Sequence, residues 1–485
     1  MKRYEALAED IAQSMRQGVL APGDRLPSVR QASKQRCVSP STVFQAYYLL
    51  EARGLIRARA RSGYYVLGHA AVWPPEPDAT LPATGTRAGA EIGHAASVEV
   101  SDRVFDVLEA SRAPGVAPLG SAFPEAGLFP LQRLGRLLAH AGQRMDPAST
   151  LDDLSPGNAR LRRQIALRYL ADGLTVHPDE IVVTNGALEA LNLCLSAVTR
   201  PGDTVLLESP TFYAALQALE RHGLHAVEVP THPREGMDLA ALAQALAQHA
   251  PAACWLMTNF QNPLGSLMPE AKKRELVALL ARHGVPLIED DVYGELYFSV
   301  RRPLPAKAYD SQGLVMHCGS FSKCLAPGYR VGWAAPGRFA RAVTRLKLST
   351  TLGTCAPAQA ALAAYLEKGG YDRHLRRLRD TLAARQQAFV QAVARHFPEG
   401  TRATRPEGGY FLWLELPVGV DALTLHRHAL AQGISVAPGP IFSAQDRYRH
   451  CLRLNYGHAD GALDAVETLG RMAHALAGQP RRRLA

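Results

Sequence analysis

Short apolar runs separated by helical stretches constrain the fold of this 485-residue chain more than any other feature. The stretch 270–283, for example, has the composition of a helix between two such runs. Strand–helix alternation predicts a mostly parallel sheet covered by helices on both faces, which is an α/β fold. After residue 338, long Ala-, Leu- and Arg-rich helices and two more strands predict a smaller α+β lobe. The runs that we interpret as buried strands are Ile181–Thr184, Val205–Leu207, Trp255–Met257, Pro286–Ile288 and Leu314–Met316.

The first 66 residues have a different pattern, in which three predicted helices precede a hairpin. Apolar residues repeat at helical spacing over Tyr4–Met15, and a second helix is expected over Ser28–Gln35. The third helix begins at Ser39, which can cap it, with Pro40 at the first helical position. These residues contain 11 Lys or Arg and 5 Asp or Glu, so 11 − 5 = +6 of the chain's net charge of +10 lies in the head. Such asymmetry favours a nucleic-acid partner, although a solvated basic surface would have the same composition.

Composition also predicts where the units of the chain meet. Residues 1–68 form the basic head, and residues 69–114 form a linker that is rich in Ala, Pro, Gly and Thr. The α/β large domain is expected over 115–338 and the α+β lobe over 339–485. A linker of that length would let the head lie far from the domain behind it.

The cysteines and the hydropathy limit the compartment. The seven cysteines are scattered and contain no Cys-x-x-Cys pair, which indicates reduced thiols and predicts neither disulfides nor a metal site. No charge-free apolar run reaches about 18 residues, so no membrane span is predicted. The N-terminus mixes acids into its apolar positions, unlike a secretory signal. We therefore expect a cytoplasmic protein without a membrane partner.

Polar motifs follow the predicted strands, at the ends where open α/β sheets bind ligands. Lys323 lies in Ser-Phe-Ser-Lys after the last run, and a lysine there can condense with an aldehyde. Considered alone, Lys323 would be an ordinary solvated surface lysine, but the order and spacing of the neighbouring motifs favour a site. The groups suited to hold a phosphate are the side chains of Ser320, Ser322 and Arg330 and the N–H groups of Gly186 and Ala187, which are expected to be free at a helix start.

The motifs Gln261-Asn-Pro-Leu-Gly265, Glu289-Asp-Asp291 and Ser320-Phe-Ser-Lys323, followed by Pro327-Gly-Tyr-Arg330, occur in this order. This combination resembles the type I aminotransferase fold over residues 115–478. The resemblance implies pyridoxal 5′-phosphate (PLP) as the cofactor. The residues it implies are Lys323 as the Schiff-base lysine, Asp290 at the pyridine nitrogen, Asn262 and Tyr293 at the phenolic oxygen, Phe212 stacked on the ring, Ser320, Ser322, Arg330, Gly186 and Ala187 at the phosphate, and Arg453 at the substrate carboxylate.

These roles agree with elementary chemistry. A carboxylate such as Asp290 keeps an adjacent pyridine nitrogen protonated, and a protonated ring is the electron sink of PLP chemistry. Arg453 could hold a carboxylate through two parallel hydrogen bonds. Without the other motifs, two adjacent acids could simply cap a helix, and Arg453 could form a surface ion pair.

Two positions depart from the family pattern. Related enzymes usually have an aromatic residue and an Asp-Pro pair before the glycine at 157, whereas this chain has Leu-Asp-Asp-Leu-Ser-Pro over 151–156. Phe212 stands where many relatives have tyrosine. Both departures affect the expected efficiency of transamination more than the binding of the cofactor.

The head resembles the GntR family of bacterial regulators over residues 3–66. The resemblance rests on the spaced elements 22–30, 38–43, 54–56 and 62–66. The second helix of such a motif enters the major groove by its N-terminal residues. Pro40 stands where some members carry arginine, and a helical domain used for protein contacts is the alternative. The expected DNA contacts are Ser39, Ser41 and Thr42 at the helix start, and by the resemblance Arg30 and the wing residues Arg61 and Gly63.

Together the two halves resemble the MocR/GabR group of bacterial regulators. That resemblance implies a head-to-tail homodimer that binds a double-stranded DNA operator and senses an amino acid or amine by forming an external aldimine in place of the bond to Lys323. A second hypothesis is a working aminotransferase in which Lys323 is the catalytic proton shuttle. A third is a DNA-binding protein whose PLP site is only structural.

Overall fold

The computed structural model describes residues 3–16, 19–21, 23–52, 55–59, 63–66, 73–77, 95–110, 113–146, 154–459 and 461–478. The head contains helices α1 (Arg3–Arg16), α2 (Val29–Arg36) and α3 (Pro40–Ala52), followed by strands β1 (Ile56–Arg59) and β2 (Gly63–Val66). The strands form an antiparallel hairpin. The predicted three helices and hairpin are therefore confirmed.

The start signals in the head sequence act as expected. Ser28 caps α2 in a capping box with Gln31, and the Ser39 hydroxyl accepts from the Thr42 N–H at the start of α3. Each cap satisfies backbone donors that the first helical turn leaves without a partner. The head has its own hydrophobic core, which includes Leu7, Ile11, Leu26, Val43, Ala46, Leu50, Ile56 and Val66.

The rest of the chain alternates helices and strands. Its helices are α4 (Ser101–Ala110), α5 (Leu131–Gln143), α6 (Ala159–Ala171), α7 (Ala187–Val198), α8 (Tyr213–His222), α9 (Leu239–His249), α10 (Glu270–Arg282), α11 (Ala340–Thr350), α12 (Ala356–Glu367), α13 (Gly370–His396), α14 (Ala422–Ala431) and α15 (Ala462–Ala477). Its strands are β3 (Ala117–Pro118), β4 (Val182–Thr184), β5 (Thr204–Ser209), β6 (His225–His232), β7 (Gly236–Met237), β8 (Ala253–Leu256), β9 (Leu287–Asp290), β10 (Val315–Ser320), β11 (Gly332–Ala335), β12 (Arg402–Ala403), β13 (Phe411–Glu415), β14 (Ile434–Ser435), β15 (Ala437–Pro438) and β16 (Cys451–Asn455).

The large sheet has eight strands in the order β4-β11-β10-β9-β8-β5-β6-β7. The central strands are parallel, and the antiparallel pairs lie towards the two edges. A smaller sheet has the order β12-β13-β16-β15. The predicted α/β domain and α+β lobe are confirmed. Strands β9 and β10 extend further than predicted, so that Asp290 and Ser320 end their strands rather than follow them.

The predicted linker over 69–114 is wrong in its last part. Residues 95–110 pack on the large domain, with Val98, Val100, Val104 and Val107 buried in its core. The Glu220 carboxylate accepts from two backbone N–H groups at the start of α4, those of Val100 and Ser101. The large apolar residues here are few: these four valines, Leu108 and the exposed Phe105. The segment therefore resembles a linker in composition.

The predicted boundary at 338/339 is also wrong. Helix α11 packs on α7 and β4 of the large domain, and Lys347 on α11 pairs with Glu189 on α7 at 2.7 Å. At the other end, β3 pairs with β14, so residues 117–118 join the C-terminal lobe. The composition of an Ala- and Arg-rich helix does not indicate which lobe it packs on. The position of α11 depends on long-range packing. Within the described ranges, every helix is too short or too polar to cross a lipid bilayer.

Candidate functional site

Lys323 follows β10, and its side chain is half-buried against residues 122–123. Its ammonium group donates to the Ala122 carbonyl oxygen at 2.9 Å and lies 3.5 Å from the centre of the Phe123 ring. Burial, and then the positive charges of Arg453 and Arg330, lower the pKa of Lys323 to about 7. Near neutral pH a substantial fraction of this amine is therefore unprotonated, which is the form that attacks an aldehyde.

Asp290 ends β9, and in the parallel register it lies opposite Cys318 of β10. Its carboxyl group is buried and accepts a long hydrogen bond of 3.4 Å from the Val292 N–H. Burial raises the pKa of Asp290 to about 7. None of the salt bridges found in the described part of the chain includes this carboxylate. A buried acid in this state fits a cationic partner such as a protonated pyridine nitrogen.

Asp291, the next residue, has the opposite environment. It lies 3.1 Å from His317 Nε2 and 2.9 Å from Arg302 Nη2, and His317 Nδ1 lies 2.7 Å from the Tyr169 hydroxyl. Burial alone would raise the pKa of Asp291, but the His317 hydrogen bond and the Arg302 charge hold it below its usual value. Of the two adjacent acids, Asp291 is already engaged and Asp290 is left open.

Arg453, in the middle of β16, is completely buried. Its guanidinium donates to Asn262 Oδ1 at 3.0 Å and to the Gly120 carbonyl oxygen at 2.6 Å. No carboxylate of the described residues forms a salt bridge with it, and its Nε and the Asn262 Nδ2 have no hydrogen-bond partner. Burial lowers the pKa of Arg453. A buried cation without a counter-ion fits an anionic ligand, and the amide of Asn262 is left with a free donor.

Aromatic rings surround these charges. The Tyr293 ring lies edge-on to the rings of Tyr410, at 5.4 Å, and Phe411, at 5.5 Å. Burial raises the pKa of Tyr293, so its hydroxyl keeps its proton. Arg453 lies over the Phe411 ring at 4.2 Å. Phe212 is half-buried at the start of α8 and packs against Tyr213 at 4.9 Å, so a tyrosine is present one position after the predicted aromatic residue.

The groups predicted to hold a phosphate also lie together. Arg330 Nη1 donates to the Ser322 hydroxyl at 3.2 Å, and the Ser320 hydroxyl accepts from the Ser322 N–H at 3.0 Å. One prediction is wrong, because the Gly186 N–H is not free but donates to the Thr184 carbonyl oxygen at 2.9 Å. The N–H groups of the first turn of α7, beginning with Ala187, remain without acceptors inside the helix.

Glycines shape this end of the site. A Cβ at Gly332 on β11 would lie 2.6 Å from the Gly186 carbonyl carbon and 2.8 Å from the Ala187 nitrogen. Gly186 itself has φ +85°, which disfavours other residues. The start of α7 can therefore approach β11 only because Gly332 carries no side chain, while a Cβ at Gly186 would collide with the Arg330 guanidinium.

Sequence reasoning missed several members of the site. The Ala122 carbonyl oxygen accepts from both Lys323 and the Tyr410 hydroxyl, and Gly120 contacts Arg453 through its backbone. Backbone acceptors leave no signal in a sequence, whereas Tyr213 could have been found as the residue after Phe212. Residues 151–153, where the family pattern is broken, lie outside the described residues.

The head presents its predicted DNA contacts on the surface. The Ser39 hydroxyl lies 2.8 Å from the hydroxyls of both Ser41 and Thr42, and Arg30 is exposed on α2. Arg61 lies outside the described residues. Gly63 opens β2, and a Cβ there would be 3.3 Å from Nε of Arg25, an exposed arginine that sequence reasoning missed.

Two further residues on α3 were also missed. The side chains of Phe44 and Tyr48 are each 55% exposed, and with Ser41 and Gln45 they form one stripe along the helix. Both fall outside the apolar face of α3, which consists of Val43, Ala46, Tyr47 and Leu50, so their spacing in the sequence could have identified them.

The residues present fit PLP. The site combines an amine of lowered pKa, an open buried acid, a free amide donor and a cluster of hydroxyl and guanidinium groups beside a helix start. In the part of the chain that the structure describes, no cluster of three His, Cys, Asp or Glu side chains could hold a metal ion. Fold and site thus define a PLP-dependent protein of the type I aminotransferase class, joined to a winged helix-turn-helix.

The chain belongs to the aminotransferase class I and II family, whose model matches residues 149–468. The model of the bacterial regulatory proteins of the gntR family matches residues 3–66. The uncharacterized HTH-type transcriptional regulator YdcR of Escherichia coli is 49% identical to the chain, over 97% of this chain and 99% of YdcR. The 2-aminoadipate transaminase of Thermus thermophilus is 33% identical, over 76% of this chain and 92% of the transaminase.

Solved structures agree on the body. LysN, the α-aminoadipate aminotransferase of Thermus thermophilus in complex with N-(5′-phosphopyridoxyl)-L-leucine, superposes with a TM-score of 0.70 at 32% identity, covering 77% of this chain and 95% of LysN. The kynurenine aminotransferase of Pyrococcus horikoshii gives a TM-score of 0.70 at 29% identity, covering 78% of this chain and 95% of that one. PLP is therefore the cofactor of this fold.

Proposed function

We propose that this protein is a PLP-dependent transcriptional regulator whose DNA binding changes when an amino acid or amine enters the site at Lys323. The observation that carries the proposal is one chain with both an open, charge-lined cofactor site and a basic winged helix-turn-helix. YdcR, which the chain matches over nearly its whole length, is named as an HTH-type transcriptional regulator. A regulator needs both a ligand site and a DNA-binding surface, whereas an enzyme needs only the first.

The contacts described above support the following roles within the site. When bound, PLP supplies an aldehyde that condenses with amines and a ring that accepts electrons. Lys323 would hold the cofactor through its amine, and Asp290 would keep the ring nitrogen protonated. Asn262 Nδ2 and the Tyr293 hydroxyl would be the donors for the phenolic oxygen, and the half-buried Phe212 would pack on the ring.

The phosphate and the effector have separate partners. Ser320, Ser322, Arg330 and the helix start at Gly186–Ala187 hold the phosphate, the last through the N–H groups from Ala187 onward. Arg453 binds the carboxylate of an α-amino acid by exchanging neutral backbone acceptors for a charged one. An effector of this class competes with Lys323 for the cofactor and brings its own anion to a buried cation.

The DNA-binding side uses the head. Ser39, Ser41, Thr42 and Arg30 contact the DNA at the start of α3 and on α2, and Arg61 and Gly63 contact it from the wing. A two-fold, head-to-tail homodimer would present two heads to paired half-sites. As a DNA-binding regulator the protein would work in the cytoplasm. The effector changes DNA binding only if it binds two conformations of the body with different affinity.

The test is an absorbance screen of the full-length, PLP-loaded protein. We expect one or more L-amino acids or amines to shift the cofactor's visible band and, at the same concentrations, to change the affinity for a duplex that the protein selects from a random-sequence pool. Lys323→Ala is expected to abolish both responses, and the exposed Lys368→Ala is the matched control. A ligand that shifts the band of the wild type without changing DNA affinity would contradict the proposal.

A second candidate function is catalysis of transamination, and a specific observation favours it. The chain is 33% identical to the 2-aminoadipate transaminase of Thermus thermophilus, and Lys323 is placed to move a proton. Conversion of an amino acid and a keto acid that continues beyond one turnover per bound cofactor would favour this function. Unchanged regulation in Lys323→Ala would instead indicate that the PLP site is structural only.

A further inference from the structure

Residues 73–77, which we name the strap, lie on the body although they belong to the predicted linker. The Pro75 carbonyl oxygen accepts from the Ala403 N–H at 2.9 Å. Glu76 accepts from Arg234 through both Nε at 2.5 Å and Nη2 at 2.7 Å. The flanking prolines Pro74 and Pro77 are buried. A proline-rich segment loses little conformational entropy on docking, which favours a defined position.

The strap bridges the two lobes of the body. Arg234 lies in the turn between β6 and β7 of the large domain, whereas Ala403 belongs to β12 of the C-terminal lobe. Glu76 also lies 3.3 Å from Nε of Arg405, which follows β12, and the Arg405 guanidinium is 5.6 Å from the Trp73 ring. One carboxylate therefore neutralises a cation from each lobe.

Both arginines border the loop that carries Asn262. The Arg234 carbonyl oxygen accepts from the Leu267 N–H at 3.0 Å, at the end of that loop. Pro406, the residue after Arg405, packs so closely on Gly265 that a Cβ there would be 2.6 Å from its Cγ. Asn262 in turn holds Arg453. The strap is therefore joined through backbone and close packing to the group that we propose binds the effector.

The strap also limits how far the head can move. Seven residue steps separate Val66, the last residue of the head hairpin, from Trp73. A fully extended chain of that length spans at most about 25 Å. While the strap is docked, the head is held near the boundary between the lobes, whereas a linker free to residue 95 would give it several times that reach.

We propose that the strap transmits effector binding to the head, an inference that rests on the proposed function. Movement of the lobes, or of the Asn262 loop between them, changes the separation of Arg234 and Arg405, and Glu76 cannot then satisfy both. The ion pairs are suited to release because the Arg234, Glu76 and Arg405 side chains are 57%, 23% and 42% exposed, so water competes for them. The docked and released strap give two tether lengths.

The test uses the full-length, PLP-loaded protein and Glu76→Gln, which removes the charge and keeps the shape. The probe is an equimolar mixture of the standard L-amino acids, and the DNA is a duplex selected by the wild type from a random pool. We expect Glu76→Gln to keep the cofactor-band response but to reduce the ligand-driven change in DNA affinity by about fivefold, the lower end of typical coupling. Hydrogen exchange at the Ala403 N–H is expected to speed up in the variant.

The matched control is Glu235→Gln, which neutralises an exposed acid in the same β6–β7 turn. A full DNA response in Glu76→Gln, or an equal loss in Glu235→Gln, would overturn the role of the strap. Unchanged exchange at Ala403 would overturn the claim that Glu76 holds it. If the wild type itself shows a cofactor-band shift without a DNA response, the proposed function is wrong and the role of the strap is wrong with it. A failure seen only in the variants would overturn the strap alone.

Discussion

In the head, the polar groups proposed to contact DNA lie on the surface, whereas in the body most of the groups proposed to contact PLP or the effector are buried, with Arg330 an exposed exception. Ser41 and Arg30 are exposed, while Asp290 and Arg453 are at most 1% exposed. Surface contacts to phosphate each contribute a little to the affinity, and salt weakens all of them together. Buried charges act singly, because each one left without its partner is expensive in a low-dielectric interior. The comparison predicts large effects for single changes in the body and small, additive ones in the head.

The largest effect is expected at Asp290. Asp290→Asn removes the charge that balances a protonated ring nitrogen, and breaking a buried pair costs about 3 kcal/mol, or about 100-fold in PLP affinity. Titration of the PLP-free protein with the cofactor, followed by absorbance, measures it. Asp106→Asn on α4, which is exposed, is the control. If Asp290→Asn bound PLP as tightly as the control, a buried charge would matter no more than an exposed one, and the comparison would fail.

Arg453→Lys is expected to have the next largest effect. A lysine keeps the charge but loses the two parallel hydrogen bonds, so the apparent affinity for an α-amino acid should fall about 30-fold, as for other buried charged contacts. The matching amine without a carboxylate provides the control ligand and should lose much less. Equal losses for both ligands would show that Arg453 supports the site without binding the carboxylate.

The pH dependence of cofactor attachment is a third test. Because the pKa of Lys323 is lowered to about 7, its unprotonated fraction falls about tenfold between about pH 8 and about pH 6. The rate at which PLP attaches to the PLP-free protein is expected to fall by that factor as the pH falls. A rate that stayed constant down to about pH 6 would place the lysine in a different environment.

The smallest effect is expected in the head. Arg30→Ala removes one exposed phosphate contact, so DNA affinity should fall by about threefold to tenfold for every sequence alike, and the slope of log affinity against log salt should decrease by about 1. Binding to a selected and a scrambled duplex at several salt concentrations measures both. A loss confined to the selected duplex would mean that Arg30 contacts a base, and the head would then resemble the body.

The order of short motifs predicted the α/β fold, and it predicted that Lys323, Asp290 and Asn262 belong to one site. What it could not supply is the environment of each group. The motif contains two adjacent acids, and only the packing of His317 and Arg302 distinguishes them. Lys323 and Arg453 both donate to backbone carbonyl oxygens at 120–122, which any residue could provide.

The errors in domain boundaries have a similar cause. Residues 95–110 contain few large apolar residues, and the burial of their valines depends on a surface built by α8 and β6, which lie more than a hundred residues later. The Ala-, Leu- and Arg-rich composition of the helices after residue 338 predicts that α11 belongs to the C-terminal lobe, whereas the Lys347–Glu189 pair joins it to α7 of the large domain. Both placements arise from long-range contacts, which local composition does not encode.

The close approach of Gly332 to Gly186 also limits how the binding specificity of this protein can be redesigned. Neither glycine has a functional group. A library that randomises only reactive residues would therefore keep them without regard to packing, whereas one that randomises the pocket wall would replace them. Even alanine at 332 would collide with the backbone at 186 and 187. Variants with new ligand preferences should therefore be sought around Arg453 and Phe123, with the two glycines kept constant.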